Sequence, residues 1–172
     1  PVSHYAEKIV AKLTGKIKEL KLAPPQLVIE PGRAMVCQAG VALYTVGVVK
    51  DIPGVRHYVS VDGGMGDNIR PAIYGAKYEA LLANRATAKD EKKVTIAGKF
   101  CESGDVLIRD IVLPEMSAGD ILAIPDSGAY CLAMASNYNA SLRPAVVLVQ
   151  KGKPHLIRRR ETLEDIVRCD VA

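Results

Sequence analysis

Aromatic residues are scarce in this sequence of 172 residues, which has no Trp, one Phe and seven Tyr. It also has no uncharged apolar run that approaches the ~20 residues of a membrane-spanning helix. Hydrophobic residues nevertheless make up 49% of the chain, and a chain of this length can bury one domain core. We therefore predict a globular, cytoplasmic protein with no membrane partner.

The four cysteines are widely spaced and include no C-x-x-C pair; they are Cys37, Cys101, Cys131 and Cys169. Structural zinc sites and disulfide scaffolds are recognised by close or regular cysteine spacing. Neither pattern is present, so we expect reduced thiols and no bound metal. Most of these thiols should behave as small buried hydrophobes.

The net charge of +4 is spread along the chain, and its densest basic run is residues 155–160. Acidic residues follow this run at positions 161, 164 and 165. Mixed charges of this kind are typical of a solvated face rather than of a phosphate-binding patch. We expect no nucleic-acid partner.

The sequence opens with Pro-Val-Ser-His instead of Met and leads directly into an amphipathic segment, which indicates a cut inside a longer protein. Residues 5–22 carry apolar side chains at helical spacing, and Pro24 and Pro25 end that pattern. The apolar residues 27–29 then predict a short buried strand. A helix followed by a strand is one α/β unit, the kind that builds a parallel barrel.

The rest of the sequence has short β-branched runs separated by Pro-Gly, Gly-Gly, Ser-Gly and Ala-Gly turns. A series of short strands separated by turns is typical of an antiparallel β sandwich or barrel. The fold is therefore predicted to be mainly β, with a barrel end at residues 1–40 and a β domain at residues 41–172. Strands are expected at 44–50, 56–61, 93–100, 106–113, 120–125, 145–150 and 155–159, and short helices at 34–44, 128–136 and 162–168.

Residues 30–33 form a Glu-Pro-Gly-Arg turn after the first predicted strand. Gly32 would let backbone N–H groups approach an anion, and the Arg33 guanidinium could clamp a phosphate or carboxylate. Glu30 could pair with a protonated ring nitrogen of a cofactor. An ordinary turn with a surface Arg could have the same four residues. This motif alone therefore leaves two interpretations open, a cofactor site and a plain turn.

The glycine-rich residues 62–67 lack the Lys-Ser/Thr pair of a P-loop and predict a tight turn. Arg70 and Tyr74 follow it, and their spacing puts both on one side of a helix. A guanidinium and a hydroxyl placed together can bind a carboxylate. The pair is a candidate carboxylate site.

Cys101 and Glu102 are a thiol and a carboxylate side by side. A thiol near a cationic cofactor can deliver a proton near neutral pH, and a carboxylate can hold an ammonium group. A core thiol beside a turn residue is the plainer interpretation. Tyr130, after Gly128, could cap a phosphate or carboxylate with its hydroxyl, or be an ordinary buried Tyr.

In this order and at these separations, the clusters resemble those of the diaminopimelate decarboxylases, fold-type III enzymes that depend on pyridoxal 5'-phosphate (PLP). The resemblance runs from about residue 25 to the C-terminus and covers only the C-terminal part of such an enzyme. It implies the last helix and strand of a truncated (β/α)8 barrel, followed by a β domain. It also implies PLP as cofactor and a homodimer that converts meso-2,6-diaminopimelate into L-lysine and CO2 in lysine biosynthesis.

The resemblance also implies roles for the candidate residues. Cys101 would be the proton donor, and the Cys-Glu pair would reach across a dimer interface into the partner subunit's active site. Diaminopimelate is favoured over ornithine or arginine because Arg33, Arg70 and Tyr74 suit a distal carboxylate. Glu102 suits the ammonium. The implied cofactor contacts are Glu30, Gly32, Arg33 and Tyr130, and the implied substrate contacts are Arg33, Arg70, Tyr74, Glu102 and Tyr130.

In the resembled family the PLP-bonding lysine lies on an early barrel strand, upstream of this chain. We therefore expect the chain alone to fold around its β domain and to be catalytically inactive. Three alternatives stay open at this stage. They are an ornithine- or arginine-type decarboxylase of the same fold, a non-catalytic regulatory relative, and an interaction module whose β domain only dimerises.

Overall fold

The computed structural model describes residues 2–89 and 91–171. The chain divides into one compact unit that ends at Pro31 and a second that begins at Gly32. The predicted domain boundary between residues 40 and 41 stays a prediction, because compactness alone does not say which residues belong to a barrel. Of the helices in the described part of the chain, none combines the length and the apolar character needed to cross a bilayer.

The first unit contains the predicted N-terminal helix, α1 (Val2–Leu20). Lys21 ends it in a left-handed conformation (φ 54°), and the N–H of Leu22 donates to the carbonyl of Ile17 at 3.0 Å, which is a Schellman-type termination. The buried strand predicted at residues 27–29 is wrong, since these residues form no strand and are exposed. A short apolar run becomes a strand only when another strand pairs with its backbone.

The second unit begins with a short helix, α2 (Gly32–Val36), followed by a 3-10 turn at Cys37–Ala39. The helix predicted at residues 34–44 is therefore shorter than expected, and Tyr44 lies inside the first strand. The strands are β1 (Ala42–Ile52), β2 (Arg56–Val61), β3 (Leu81–Leu82), β4 (Lys92–Ala97), β5 (Val106–Leu113), β6 (Ile121–Ile124), β7 (Val146–Gln150) and β8 (Lys153–Arg158).

Six of these strands form one sheet in the order β3-β6-β1-β2-β4-β5. The predicted mainly β domain with antiparallel pairing is confirmed with one exception, since β2 and β4 pair in parallel. The connection between them contains α3 (Arg70–Tyr74) and β3, and a connection of that length can return the chain to start a parallel neighbour. This connection carries the glycine-rich turn and the Arg70–Tyr74 pair.

β7 and β8 form a separate two-stranded hairpin. Its turn residues, Lys151 and Gly152, both have positive φ (50° and 75°), as a tight two-residue hairpin turn requires. The predicted C-terminal helix is α4 (Leu163–Val167), which begins with a capping box between Thr162 and Asp165. The helix predicted at residues 128–136 is only a 3-10 turn at Leu132–Met134.

The core lies on one face of the six-stranded sheet. Alternate residues of β1, such as Tyr44 and Val46, point into it, as the two-residue period of a strand requires. Side chains from the central strands are closed off from solvent, among them Val59, Ile96 and Leu122. This packing holds the sheet rigid, and the sheet holds the ends of the connecting loops in place.

One buried carboxylate anchors the loop before β6. Asp120 accepts hydrogen bonds from Arg85 Nη2 at 2.6 Å, Asn84 Nδ2 at 2.9 Å and the N–H of Ser117 at 2.8 Å. The bond from Arg85, helped by the other two, lowers the pKa of Asp120 from 3.8 to about 2. The ionised carboxylate therefore stabilises the folded chain.

We expect Asp120→Asn to lower the free energy of unfolding at pH 7 by about 1 kcal/mol. This is less than the pKa shift alone implies, because Arg85 is partly exposed and solvent weakens its interaction with Asp120. The folded pKa of Asp120 lies below its unfolded value, so this contribution is present above about pH 4 and is lost as the pH falls towards 2. Urea unfolding of the wild type and of Asp120→Asn at pH 7 and pH 3 measures the difference in unfolding free energy. An equal difference at the two pH values would contradict the assignment.

Candidate active site

The turn before Tyr130 is held against α2 by direct backbone contact. The N–H of Gly128 donates to the carbonyl of Cys37 at 2.9 Å. A Cβ on Gly128 would overlap the carbonyl oxygen of Val36, so only glycine allows this approach. The contact brings the end of α2 and the Tyr130 turn together.

Tyr130 is presented in a strained conformation beside Gly32. Its φ is 61°, a left-handed backbone that costs energy for a bulky residue and occurs most often at functional sites. A Cβ on Gly32 would lie 2.9 Å from the Tyr130 hydroxyl oxygen. Tyr130 is 46% exposed, and its hydroxyl lies next to the Gly32 backbone, which carries no side chain.

The Arg70 guanidinium lies between two tyrosine rings. Its central carbon is 5.3 Å from the centroid of the Tyr74 ring and 5.6 Å from that of the Tyr130 ring, within the range of cation–π attraction. Arg70 and Tyr74 lie on α3, as their spacing predicted. Within the described part of the chain, the buried Nε of Arg70 has no hydrogen-bond partner. A guanidinium beside two phenol side chains is suited to an anion.

Glycine-rich residues 62–67 form the predicted turn rather than a phosphate cradle. The carboxylate of Asp67 accepts a hydrogen bond from the N–H of Gly64 at 3.1 Å. A Cβ on Gly63 would overlap the ring of Tyr44, so the turn is packed directly on the core. Burial raises the pKa of Asp67. The turn leads directly into α3, so its position determines where that helix begins.

Cys101 and Glu102 lie in an exposed loop between β4 and β5. Glu102 Oε2 accepts a hydrogen bond from the hydroxyl of Tyr138 at 3.4 Å. The Tyr138 ring meets the Phe100 ring edge to face, with 5.4 Å between centroids. A cavity of about 340 Å³ opens beside the thiol, lined by Lys99, Phe100, Cys101, Asn139 and Ser141.

The contact between Tyr138 and Glu102 was not predicted from the sequence. Its only local signal is a Tyr between two Asn residues, which is typical of many surface loops. The structure adds that Asn139 and Ala140 both have positive φ (50° and 55°). These two residues come directly after Tyr138, whose hydroxyl donates to Glu102.

The candidate residues fall into separate groups. No hydrogen bond or ion pair among the described residues joins the side chains of Cys101 or Glu102 to the Arg70 cluster. Arg33 is exposed on α2, and Glu30 is exposed in the unit that ends at Pro31. The first group, the Arg70 cluster, consists of Gly32, Arg70, Tyr74 and Tyr130; the second, the Cys101 loop, carries Cys101 and Glu102.

The Arg70 cluster has the chemistry of a site for a phosphate or a carboxylate. It offers one guanidinium, two hydroxyls and a glycine against which a flat molecule can lie. Over residues 2–89 and 91–171, no group of His, Cys, Asp and Glu side chains is arranged to hold a metal ion. The cluster is therefore a candidate site for an organic anion.

Comparison with known proteins finds a matching family, a curated relative and solved structures similar to this chain. The family described as pyridoxal-dependent decarboxylase, C-terminal sheet domain, matches residues 9–128. The diaminopimelate decarboxylase of Bacillus subtilis is 54% identical over 169 residues, which is 98% of this chain and 38% of that protein. The chain thus spans well under half the length of this curated relative.

Two solved structures show the same relationship. A diaminopimelate decarboxylase from M. jannaschii is 41% identical with a TM-score of 0.83, covering 97% of this chain and 37% of the other. The enzyme from Helicobacter pylori complexed with L-lysine is 36% identical with a TM-score of 0.74, covering 81% of this chain and 34% of the other. The chain therefore belongs to the pyridoxal-dependent decarboxylases and carries their C-terminal sheet domain.

Proposed function

We propose that this chain is the C-terminal part of a diaminopimelate decarboxylase, a PLP-dependent lyase that forms L-lysine and CO2 from meso-2,6-diaminopimelate. The observation that carries the proposal is the Arg70 guanidinium held between Tyr74 and Tyr130. The names of relatives that are 54% and 41% identical to the chain point the same way. We call the complete protein loaded with PLP the holoenzyme.

The residues of the Arg70 cluster fit PLP. Gly32 has no Cβ to keep the cofactor away from the backbone, and the adjacent Tyr130 hydroxyl can donate to its phosphate. Bound PLP supplies an electron sink for the charge left on the carbon that loses CO2. Arg33 and Glu30 are proposed as further cofactor contacts because of their place in the motif.

The distal end of the substrate would be held by four groups of this chain. Diaminopimelate carries a second carboxylate and a second ammonium there. The Arg70 guanidinium and the Tyr74 hydroxyl are suited to the carboxylate, with Arg33 as a further donor. Glu102, oriented by its hydrogen bond from Tyr138, is suited to the ammonium.

Cys101 would deliver the proton that replaces CO2 on the substrate carbon. Its thiol is exposed and borders the 340 Å³ cavity, so a substrate from outside can reach it. Because both the Cys101 loop and the Arg70 cluster are open to solvent, we propose a homodimer in which the Cys101 loop of one copy completes the Arg70 cluster of the other.

An ornithine or arginine decarboxylase is the second candidate. Those substrates carry a cation at the distal end, and the positive charge of the Arg70 guanidinium would repel it. A non-catalytic relative would have no use for an exposed thiol beside a cavity. The anion-binding character of the Arg70 cluster therefore favours diaminopimelate.

The test is CO2 release from meso-diaminopimelate, ornithine, arginine and lysine by the holoenzyme, with the Bacillus subtilis enzyme as positive control. We expect turnover of diaminopimelate alone, and none by the 172-residue chain without its barrel. Turnover of ornithine or arginine instead would refute the assignment of the distal site. A protein that binds PLP but releases no CO2 from any of the four would support the non-catalytic relative.

Cys101→Ala should lower kcat by at least about 100-fold while KM changes little, because a proton donor acts in the chemical step. Cys169→Ala is the matched control, since Cys169 is the other exposed free cysteine in the described part of the chain. We expect it to leave both constants unchanged. Steady-state kinetics of the two holoenzyme variants measure this, and normal turnover by Cys101→Ala would remove the proton-donor role.

A further inference from the structure

We propose that Asp105 is a positioning residue whose buried carboxylate locks the glycine-rich turn (residues 62–67) to the Cys101 loop. Its catalytic consequence rests on the proposed function, because it acts through Cys101. Asp105 closes the Cys-Glu-Ser-Gly-Asp sequence, yet none of the roles assigned above uses it. The structure gives it contacts with both loops.

The carboxylate of Asp105 gives one oxygen to each loop. Oδ1 accepts a hydrogen bond from the N–H of Met65 at 2.6 Å, and Oδ2 accepts one from the N–H of Phe100 at 2.8 Å. The residue is only 3% exposed, so water cannot take over either role. A buried N–H that loses its acceptor destabilises the conformation that contains it.

Two glycines enclose the same carboxylate. A Cβ on Gly64 or on Gly98 would overlap its oxygens. The pocket therefore has no room for a longer acidic side chain. It also demands two acceptor oxygens, because the amide of an Asn would turn its own N–H towards one of the two backbone donors.

Further contacts make the two loops one structural piece. The N–H of Lys99 donates to the carbonyl of Gly63 at 2.9 Å. The Phe100 ring fills the space next to Gly66, where a Cβ would come within 2.7 Å of it. Asp105 is the charged centre of this contact, and burial raises the pKa of its carboxyl, although the N–H groups of Phe100 and Met65 lower it.

The contact made by Asp105 lies between the Arg70 cluster and the Cys101 loop. Cys101 directly follows Phe100, whose N–H donates to Asp105. The glycine-rich turn, held through Met65, leads into α3 and Arg70. Asp105 thereby sets the spacing between the proton donor and the carboxylate site that one copy of the chain presents.

Asp120 provides a matched control for a purely structural role. It is also a buried carboxylate that accepts from a loop N–H, that of Ser117. Among the described residues, its carboxylate has no hydrogen bond to the Cys101 loop or to the glycine-rich turn. A general loss of stability would affect Asp105→Asn and Asp120→Asn alike.

The first arm of the test measures amide hydrogen exchange in the full chain. In Asp105→Asn, the amides of Met65 and Phe100 should exchange at least about tenfold faster than in the wild type. In Asp120→Asn the amides of Met65 and Phe100 should exchange at wild-type rates, while the amide of Ser117 should exchange faster. Wild-type protection of Met65 and Phe100 in Asp105→Asn would overturn the inference.

The second arm measures kinetics of the holoenzyme. We expect Asp105→Asn to lower kcat by about tenfold or more, because a small misplacement of a reacting group is costly, and Asp120→Asn to leave kcat within about twofold. Gly98→Ala, whose Cβ would displace the carboxylate, should act like Asp105→Asn. In a Cys101→Ala background Asp105→Asn should lower kcat no further, since coupled residues are non-additive.

The outcomes separate this inference from the proposed function. An active wild type in which Asp105→Asn and Asp120→Asn have equal kcat would overturn the positioning role. An additive loss of kcat in the Cys101→Ala background would also overturn it. A wild-type holoenzyme that releases no CO2 from diaminopimelate would refute the proposed function and the catalytic part of this inference together, and the exchange rates would still decide whether Asp105 locks the loops.

Discussion

The Asp105 carboxylate accepts hydrogen bonds from backbone N–H groups of two loops, the glycine-rich turn and the Cys101 loop. Both loops are rich in glycine, so the unfolded chain has many conformations to lose when they become ordered. A buried charge-assisted pair of hydrogen bonds opposes that loss. The sheet below provides the platform, because the Tyr44 ring supports Gly63 from the core. The geometry of the candidate site depends on this contact between loop and sheet.

Local patterns in the sequence predicted the features that depend on near neighbours. The spacing of Arg70 and Tyr74 predicted a shared helical face, and the structure puts both on α3. Alternating β-branched runs predicted most strands to within a few residues, because strands such as β1 and β2 bury one face. Family membership followed from the order of several short motifs, each of which is weak alone, and the comparison with known proteins confirmed it.

Features that depend on distant partners could not be read from the sequence. The apolar residues 27–29 have a strand-like composition, but pairing decides whether they form a strand. The parallel pairing of β2 with β4 depends on the path of the connection between them. The contacts of Asp105 with Met65 and of Tyr138 with Glu102 join segments far apart in the chain. The strained backbone of Tyr130 likewise lies two residues after Gly128, which approaches α2 closely.

The central claim is that one chain carries two half-sites and that each active site takes one half from each copy. Mixing holoenzyme variants Cys101→Ala and Arg70→Ala, each inactive alone, tests it most directly. After subunit exchange, half-sites shared between copies would restore about one quarter of wild-type CO2 release from diaminopimelate, because about half of the dimers are mixed and each has one intact site. No recovery, with mixed dimers demonstrated by mass, would contradict the claim and put Cys101 and Arg70 of one copy in the same site.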